Sequence, residues 1–148
     1  MSLIERLDND FKGALKAKEA EKLAVLRLVR SNIKNLEISK QAAAGDEDII
    51  AILQREIKQH KETIASLRQA GRSEDVAKQE AEVKFLQAYL PPALSLDELK
   101  DVVTKAIDFT GASSITDMGK VMGQVMSQVK GRVTGDEVGQ MVRELLGK

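Results

Sequence analysis

The sequence predicts an all-α protein, and three of its properties favour this class. Aromatic residues make up only 3% of the chain and charged residues 31%, and there are just two prolines. Apolar residues recur at the spacing of a helix face rather than in the alternation of a strand. Hydrophobic residues, at 43%, are frequent enough to fill a core.

A capping pair and a polar break mark the first two helices. Ser2 and Glu5 have the spacing of a capping box, so the first helix is expected to begin at Ser2. Polar residues from Lys18 to Glu21 separate it from a second helix, which we expect Gly45 to end. The two apolar stripes are Ile4, Leu7, Phe11, Ala14 and Leu15, then Leu23, Leu26, Val29, Ile33 and Leu36.

Two further helices precede a pair of prolines. The acids at 46–48 favour a helix N-terminus, where the helix dipole is positive, and Gly71 ends this third helix. Ser73 caps the fourth helix, which Pro91 and Pro92 stop. The stripes of these helices are Ile49, Ile50, Leu53, Ile57, Ile64 and Leu67, then Val76, Val83, Leu86 and Leu90, with Phe85 and Tyr89 beside them.

Three short helices follow the prolines. The fifth helix ends near Gly111, and the sixth runs to about Lys130 and ends at Gly131. We therefore predict an N-terminal bundle of about four helices over residues 1–92, a Pro-Pro hinge, and a small three-helix domain over residues 93–148. The predicted caps are Ser95 with Glu98 for the fifth helix, Ser114 or Thr116 for the sixth, and Thr134 with Glu137 for the seventh.

Composition excludes several classes of protein. There is no cysteine, which removes disulfides, thiolate catalysis and metal sites that use sulfur. No apolar run approaches the roughly 20 residues that span a bilayer, and the N-terminus lacks the apolar segment of a signal peptide. We therefore expect a soluble cytoplasmic protein without membrane contact. Since the net charge is zero, any nucleic-acid binding must use a local patch.

The residues give little support for catalysis, cofactor binding or metal binding. His60, the single histidine, is the default acid or base, but a lone histidine in a helix is more often a surface or boundary residue. Neither phosphate-cradling glycine motif is present, so no cofactor is predicted. Asp46, Glu47 and Asp48 lack the EF-hand pattern and are better explained as helix-capping acids, so no metal site is predicted. Glu80 and Glu82 fall on different helix faces and make no carboxylate pair.

Two glycines interrupt the sixth helix. Gly119 and Gly123 lie four residues apart, and each costs about 1 kcal/mol relative to alanine in a helix interior. Close approach of another helix, or of a ligand backbone, explains why they are present. A third glycine, Gly131, follows the helix. Met118, Met122 and Met126 are spaced four residues apart, and methionines at this spacing more often belong to a core than line an exposed groove.

Two groups of cations are candidates for RNA binding. Arg27, Arg30 and Lys34 lie within about 60° of one another on the second helix, although a solvated helix flank is the more common explanation of such a stripe. Gly131 and Gly135 flank a turn with accessible amides, before a helix N-terminus that favours anions unless Asp136 and Glu137 already occupy it. With few aromatics to stack on bases, recognition would be of RNA shape and backbone, with no sequence-specific DNA binding. The second group is Lys120, Lys130 and Arg132.

Several motifs resemble the GatB/YqeY family, and the chain is most similar to its free-standing YqeY-like members. They are Tyr89-Leu90-Pro91, Ser95 with Glu98-Leu99, Met118-Gly119-Lys120-Val121-Met122 and Lys130-Gly131-Arg132-Val133. The resemblance covers nearly the whole chain and is most specific between Ile115 and Val142. It implies an N-terminal helical domain and a three-helix C-terminal domain. In the B subunit of the tRNA-dependent amidotransferase, the equivalent tail contacts tRNA.

The resemblance leads to one functional hypothesis and two alternatives. The amidotransferase converts misacylated Glu-tRNA or Asp-tRNA to the amide with ammonia from glutamine, but its kinase-type domain and amidase subunit have no counterpart here. We therefore expect a non-catalytic accessory protein that binds tRNA or another folded RNA. The first alternative is a protein adaptor of an amidotransferase or synthetase complex. The second is a component of a carbon–nitrogen ligase with glutamine as amido-N-donor.

Overall fold

The computed structural model describes residues 1–147, and within them the chain is all-helical, as predicted. Seven α-helices and one short 3-10 helix are present, and no strand is found in this range. The chain divides into two compact units, Met1–Leu90 and Pro91–Lys148. The predicted boundary after Pro92 lies two residues further on. Each unit has a hydrophobic core of its own.

The first unit begins with the first two predicted helices. Helix α1 spans Leu3–Ala17, and Ser2 and Glu5 form the full capping box in front of it. Lys18 then adopts a left-handed conformation with φ of 56°, which ends α1. Helix α2 spans Ala20–Lys40 and packs against α1.

The end of α2 differs from the prediction. Gln41, with φ of 55°, caps α2 in the left-handed conformation, and the Ala42 amide donates to the Glu37 carbonyl. Gly45 is instead the N-cap residue of α3, which spans Asp46–Gln69. The Gly45 amide donates to the Asp48 carboxylate at 3.1 Å. The acids thus favour a helix start at Gly45, because the N-terminus of a helix is positive. Helix α2 therefore ends four residues before the predicted position.

Helix α4 spans Ser73–Gln87, and its N-terminus also corrects a prediction. Ser73 is the first helical residue rather than the cap, and Arg72 holds the cap position without a capping side chain. Arg72 instead forms an ion pair with Asp75 at 2.7 Å. Helices α3 and α4 are antiparallel neighbours joined by Gly71, whose φ is +70°.

Helix α3 lies at the centre of the first unit, since it packs against α1, α2 and α4. A fully buried leucine or isoleucine contributes about 1.5–3 kcal/mol to folding, so the buried aliphatic side chains dominate the stability of the unit. Leu67 and Ile50, predicted in the stripe of α3, are only partly buried. The most deeply buried large side chains here are Leu7, Leu26, Val29, Ile49, Leu53 and Leu86.

The second unit contains helices α5, α6 and α7 around a valine-rich core. Helix α5 spans Leu96–Thr110 between a Ser95–Glu98 capping box and Gly111, as predicted. Helix α6 spans Met118–Val129, and α7 spans Gly135–Leu146. Each of the three helices packs against the other two. The fully buried side chains are Val103, Val121, Val125, Val138 and Val142.

Two predicted caps in this unit are only partly right. Ser114 caps a 3-10 helix over Ile115–Asp117 rather than α6, whose own N-cap residue is Asp117. Thr134 caps α7 by accepting the Glu137 amide at 3.2 Å, which is one half of the predicted capping box. Leu96, predicted within the apolar stripe of α5, is 76% exposed because it occupies the first turn beyond the core.

Candidate nucleic-acid interface

Helix α6 has one buried side and one bare side. Val121, Val125 and Val129 point into the core, and Met118, Met122 and Met126 pack partly buried at its edge, as the core interpretation predicts. At 100° per residue, Gly119, Lys120, Gly123 and Ser127 fall on the opposite side, and all four are exposed. We call these four residues the glycine face.

The two glycines do not serve helix packing. At both Gly119 and Gly123, no neighbouring heavy atom lies within 4 Å of where a Cβ would be. The helix-packing explanation is therefore wrong for these two positions. The close approach occurs at Gly139 of α7, where a Cβ would lie 3.3 Å from Met118 Cε. Ligand approach to the α6 backbone remains the predicted reason for the glycine pair.

The stretch of sequence that contains the glycine face carries cations and no acids. From Met118 to Gly135 the sequence contains Lys120, Lys130 and Arg132 but no acidic residue. Asp117 lies just before this stretch and accepts the Ser113 amide at 3.1 Å. That hydrogen bond lowers the pKa of Asp117, and the nearby charge of Lys120 lowers it further.

The turn after α6 is built around Gly131. This residue is buried and has φ of +79°, a left-handed conformation that a residue with a Cβ adopts at a cost. Gly131 therefore turns the chain, and the adjoining Lys130 side chain is exposed. At the next helix start, Thr134 already caps the first turn of α7, where Asp136 and Glu137 add negative charge. These acids weaken the predicted anion site at that N-terminus.

Arg132 has a structural position that the sequence did not reveal. Its Nε donates to the Pro92 carbonyl at 2.9 Å, and its Nη2 lies 3.9 Å from a Glu98 carboxylate oxygen. The Leu94 amide in turn donates to the Arg132 carbonyl at 3.2 Å. Arg132 thus holds the segment before α5 against the turn after α6, and only part of its charge is left for a ligand.

The other candidate cations, Arg27, Arg30 and Lys34, lie on α2, and all three residues are exposed. Arg30 stacks over Phe11, with its guanidinium carbon 4.1 Å from the ring centre, and its Nε lies 3.6 Å from Asp8. Arg30 therefore helps to join α1 to α2, as the helix-flank explanation suggests. Arg27 and Lys34 follow the same flank of α2.

His60 is a boundary residue with two polar neighbours on α4. Its Nδ1 lies 2.6 Å from Gln79 Oε1 and 3.3 Å from Glu82 Oε2, and its side chain is 16% exposed. Glu80 instead pairs with Arg68 at 2.5 Å, so the two glutamates are separated as predicted. His60 thus links α3 to α4.

Ser127 is the residue of the glycine face that the sequence analysis missed. It follows Gly119 and Gly123 at the same interval of four, which is the signal that would have found it. Its Oγ donates to the Gln124 carbonyl at 2.8 Å, so the hydroxyl lies flat along the helix.

Among residues 1–147, no cluster of three metal-ligating side chains is found, and no helix is long and apolar enough to span a membrane.

A family model described as Yqey-like protein matches residues 4–146. The chain belongs to the YqeY-like family. Two curated relatives, from Pyrenophora tritici-repentis and Vanderwaltozyma polyspora, both carry the name Altered inheritance of mitochondria protein 41, mitochondrial. They are 28% and 32% identical to it over 72% and 69% of the chain. The match spans 60% and 57% of their own lengths. Because both names contain the word mitochondrial, the cytoplasmic location remains a prediction for this chain.

Proposed function

We propose that this YqeY-like protein is an accessory protein that binds a folded RNA, with tRNA the expected one, through the glycine face of α6. The observation that carries the proposal is the exposed helix backbone at Gly119 and Gly123, next to a run of chain with cations and no acids. Because no Cβ covers these positions, a sugar–phosphate backbone can approach the helix closely. The kinship with the tail of the amidotransferase B subunit favours tRNA over other folded RNAs.

The charges fit backbone recognition. Lys120 lies within the glycine face and Lys130 directly follows the helix, so both can neutralise phosphates along one edge of an RNA. Arg132 supports this surface from the side by fixing the turn, and Arg27, Arg30 and Lys34 form a second candidate contact on the other unit. With no tryptophan and one tyrosine in the chain, shape and backbone contacts outweigh base stacking.

The experiment measures tRNA affinity of the full chain at graded salt concentrations. Lys120→Glu combined with Lys130→Glu is expected to weaken binding strongly and to reduce the salt dependence, since log K falls by about 0.9 per decade of salt for each phosphate contact on a duplex. Lys100→Glu is the matched control, because Lys100 is an exposed cation of α5 outside the glycine face. Arg132 is a poor choice for charge reversal, because its loss also disturbs the turn.

A steric variant separates the backbone contact from the charges. Gly123→Leu points a side chain into open space, so the fold is retained while RNA approach is blocked. Duplex DNA of similar charge is expected to bind more weakly than tRNA. No binding at low salt contradicts the proposal, as does binding that survives both the double charge reversal and Gly123→Leu.

A further inference from the structure

A groove in the first unit lies between α4 and the corner formed by α1 and α2. It consists of two adjoining cavities, of about 290 Å³ beside α1 and about 130 Å³ beside α2. Lys22 and Phe85 line both cavities and mark where they meet. Since α4 packs chiefly on α3, this side of α4 is left uncovered. We call this feature the acidic groove.

Contacts at its two ends hold the acidic groove open. At one end the Tyr89 hydroxyl donates to Asp10, which fixes the end of α4 to α1. Towards the other end Lys78 of α4 lies 3.9 Å from Glu21 of α2. Between these contacts Ala81 and Phe85 face the corner without closing the space. The groove therefore exists before any partner binds.

The walls combine an apolar surface with an excess of negative charge. Ala14 and Val25 are buried in the wall, and Phe85 is half-buried and presents its ring. Only one cation, Lys22, lies among the residues that line the two cavities. The acidic residues of the lining are Asp10, Glu19, Glu21 and Glu82.

Lys22 shows which chemistry the groove accepts. Its ammonium nitrogen lies 5.9 Å from the centre of the Phe85 ring and 3.1 Å from a Glu19 carboxylate oxygen. A cation over an aromatic face beside a carboxylate is a favourable arrangement. Among the other acids, the Glu21 side chain is 69% exposed and its partner Lys78 is 3.9 Å away, so Glu21 can pair with a further cation. Glu82 instead lies 3.3 Å from His60 and is 14% exposed, so it adds negative charge to the wall rather than a contact for a ligand. The same charge repels a nucleic acid.

We propose that the acidic groove binds a basic amphipathic helix of a partner protein. Apolar side chains of that helix enter the two cavities, and its lysines or arginines face the acids of the rim. The cavities lie at or below the low end of small-molecule pockets, which is about 300 Å³, so each suits a side chain rather than a whole metabolite. Helix-in-groove recognition of this kind places anchors at i, i+3, i+4 and i+7. The proposal is independent of RNA binding by α6.

The test uses two synthetic helices of about 18 residues, long enough to be partly helical alone. Both carry leucine at the anchor positions, and one has lysine and the other glutamate on its polar side. Binding to the full chain is followed by amide NMR shifts. We expect saturable binding of the lysine helix, with shifts confined to residues 9–25 and 81–85, and no saturable binding of the glutamate helix.

Matched variants locate the binding surface. Ala81→Trp fills the groove and Glu21→Lys reverses an exposed acid on its rim, and each is expected to weaken the lysine helix about tenfold or more. Ala51→Trp and Glu62→Lys make the same changes at exposed positions of α3 outside the groove and are expected to leave affinity unchanged.

Four results overturn the proposal. Equal binding of both helices shows that charge plays no part, and insensitivity to Ala81→Trp places the contact elsewhere. Shifts at the same residues on raising the protein concentration alone assign the groove to a second copy of the chain. Shifts there on adding tRNA assign it to RNA instead.

Discussion

The hydroxyl of Tyr89 donates a hydrogen bond to Asp10 and thereby joins the end of the first unit to its first helix. Arg6 strengthens this junction, since its guanidinium lies 5.0 Å from the Tyr89 ring centre and donates to the Ala88 carbonyl at 3.2 Å. Phe85 packs edge-on against the same ring, with 5.7 Å between the ring centres. The fourth helix is therefore fixed to α1 as well as to α3.

The ionisation of Tyr89 should make the stability of this unit fall at high pH. Burial, and then the hydrogen bond to Asp10, raise the pKa of Tyr89 above its ordinary value of about 10. A raised pKa in the folded state means that the stabilisation is complete below about pH 10 and is lost as pH rises further. Because Tyr89 is the single tyrosine and there is no tryptophan, tyrosinate absorbance reports this residue alone.

The measurement compares the absorbance titration of the folded protein with that of the protein in urea. Ionisation should occur at a higher pH in the folded protein, and Tyr89→Phe should reduce the loss of unfolding free energy above pH 10. Tyr89→Phe itself should cost about 1–2 kcal/mol. Ionisation near pH 10 in both states would show that the hydroxyl is not held as described.

Glu56 is the one charged residue that is buried among residues 1–147, and Asn32 is its partner. Its side chain accepts a hydrogen bond from Asn32 Nδ2 at 2.7 Å, and the residue is 4% exposed. Asn32→Ala should cost about 2–3 kcal/mol in urea unfolding, because the buried carboxylate loses a donor. The double variant Asn32→Leu with Glu56→Met should recover most of that loss. Equal costs for the single and double variants would contradict this account.

The glycines of α6 and α7 should respond oppositely to substitution. Gly123→Ala should raise the free energy of unfolding by about 1 kcal/mol, since its site is open and alanine favours helix. Gly139→Leu should lower it by about 1–3 kcal/mol, because the side chain collides with Met118. Thermal and urea unfolding check both values. A destabilising Gly123→Ala would mean that a neighbour occupies the glycine face.

Arg132→Ala should destabilise the second unit by about 1 kcal/mol, because the Pro92 carbonyl loses its donor. Lys100→Ala is the matched control, since a change at an exposed residue without such a contact stays within about 0.5 kcal/mol. NMR signals of α5, α6 and α7 during urea unfolding report this unit directly. Equal stability of the two variants would assign Arg132 to ligand binding alone.

The sequence predicted the elements better than their junctions. The capping boxes at Ser2 and Ser95 were correct because both partners lie within one helix turn. Gly45 was misplaced because a glycine beside acids suits the end of one helix as well as the start of the next. The role of Gly119 and Gly123 could not be decided either, since helix packing and ligand approach require the same residue type.

Helix order, the unit boundary near Pro91 and the identity of the apolar faces were determined by the sequence itself. They depend on spacing and caps within a few residues. Tertiary structure alone decided that the glycine face is open, that Arg132 reaches Pro92, and that α4 leaves a groove beside α1 and α2. These features arise from contacts between residues far apart in the chain, and local periodicity carries no information about which helices become neighbours.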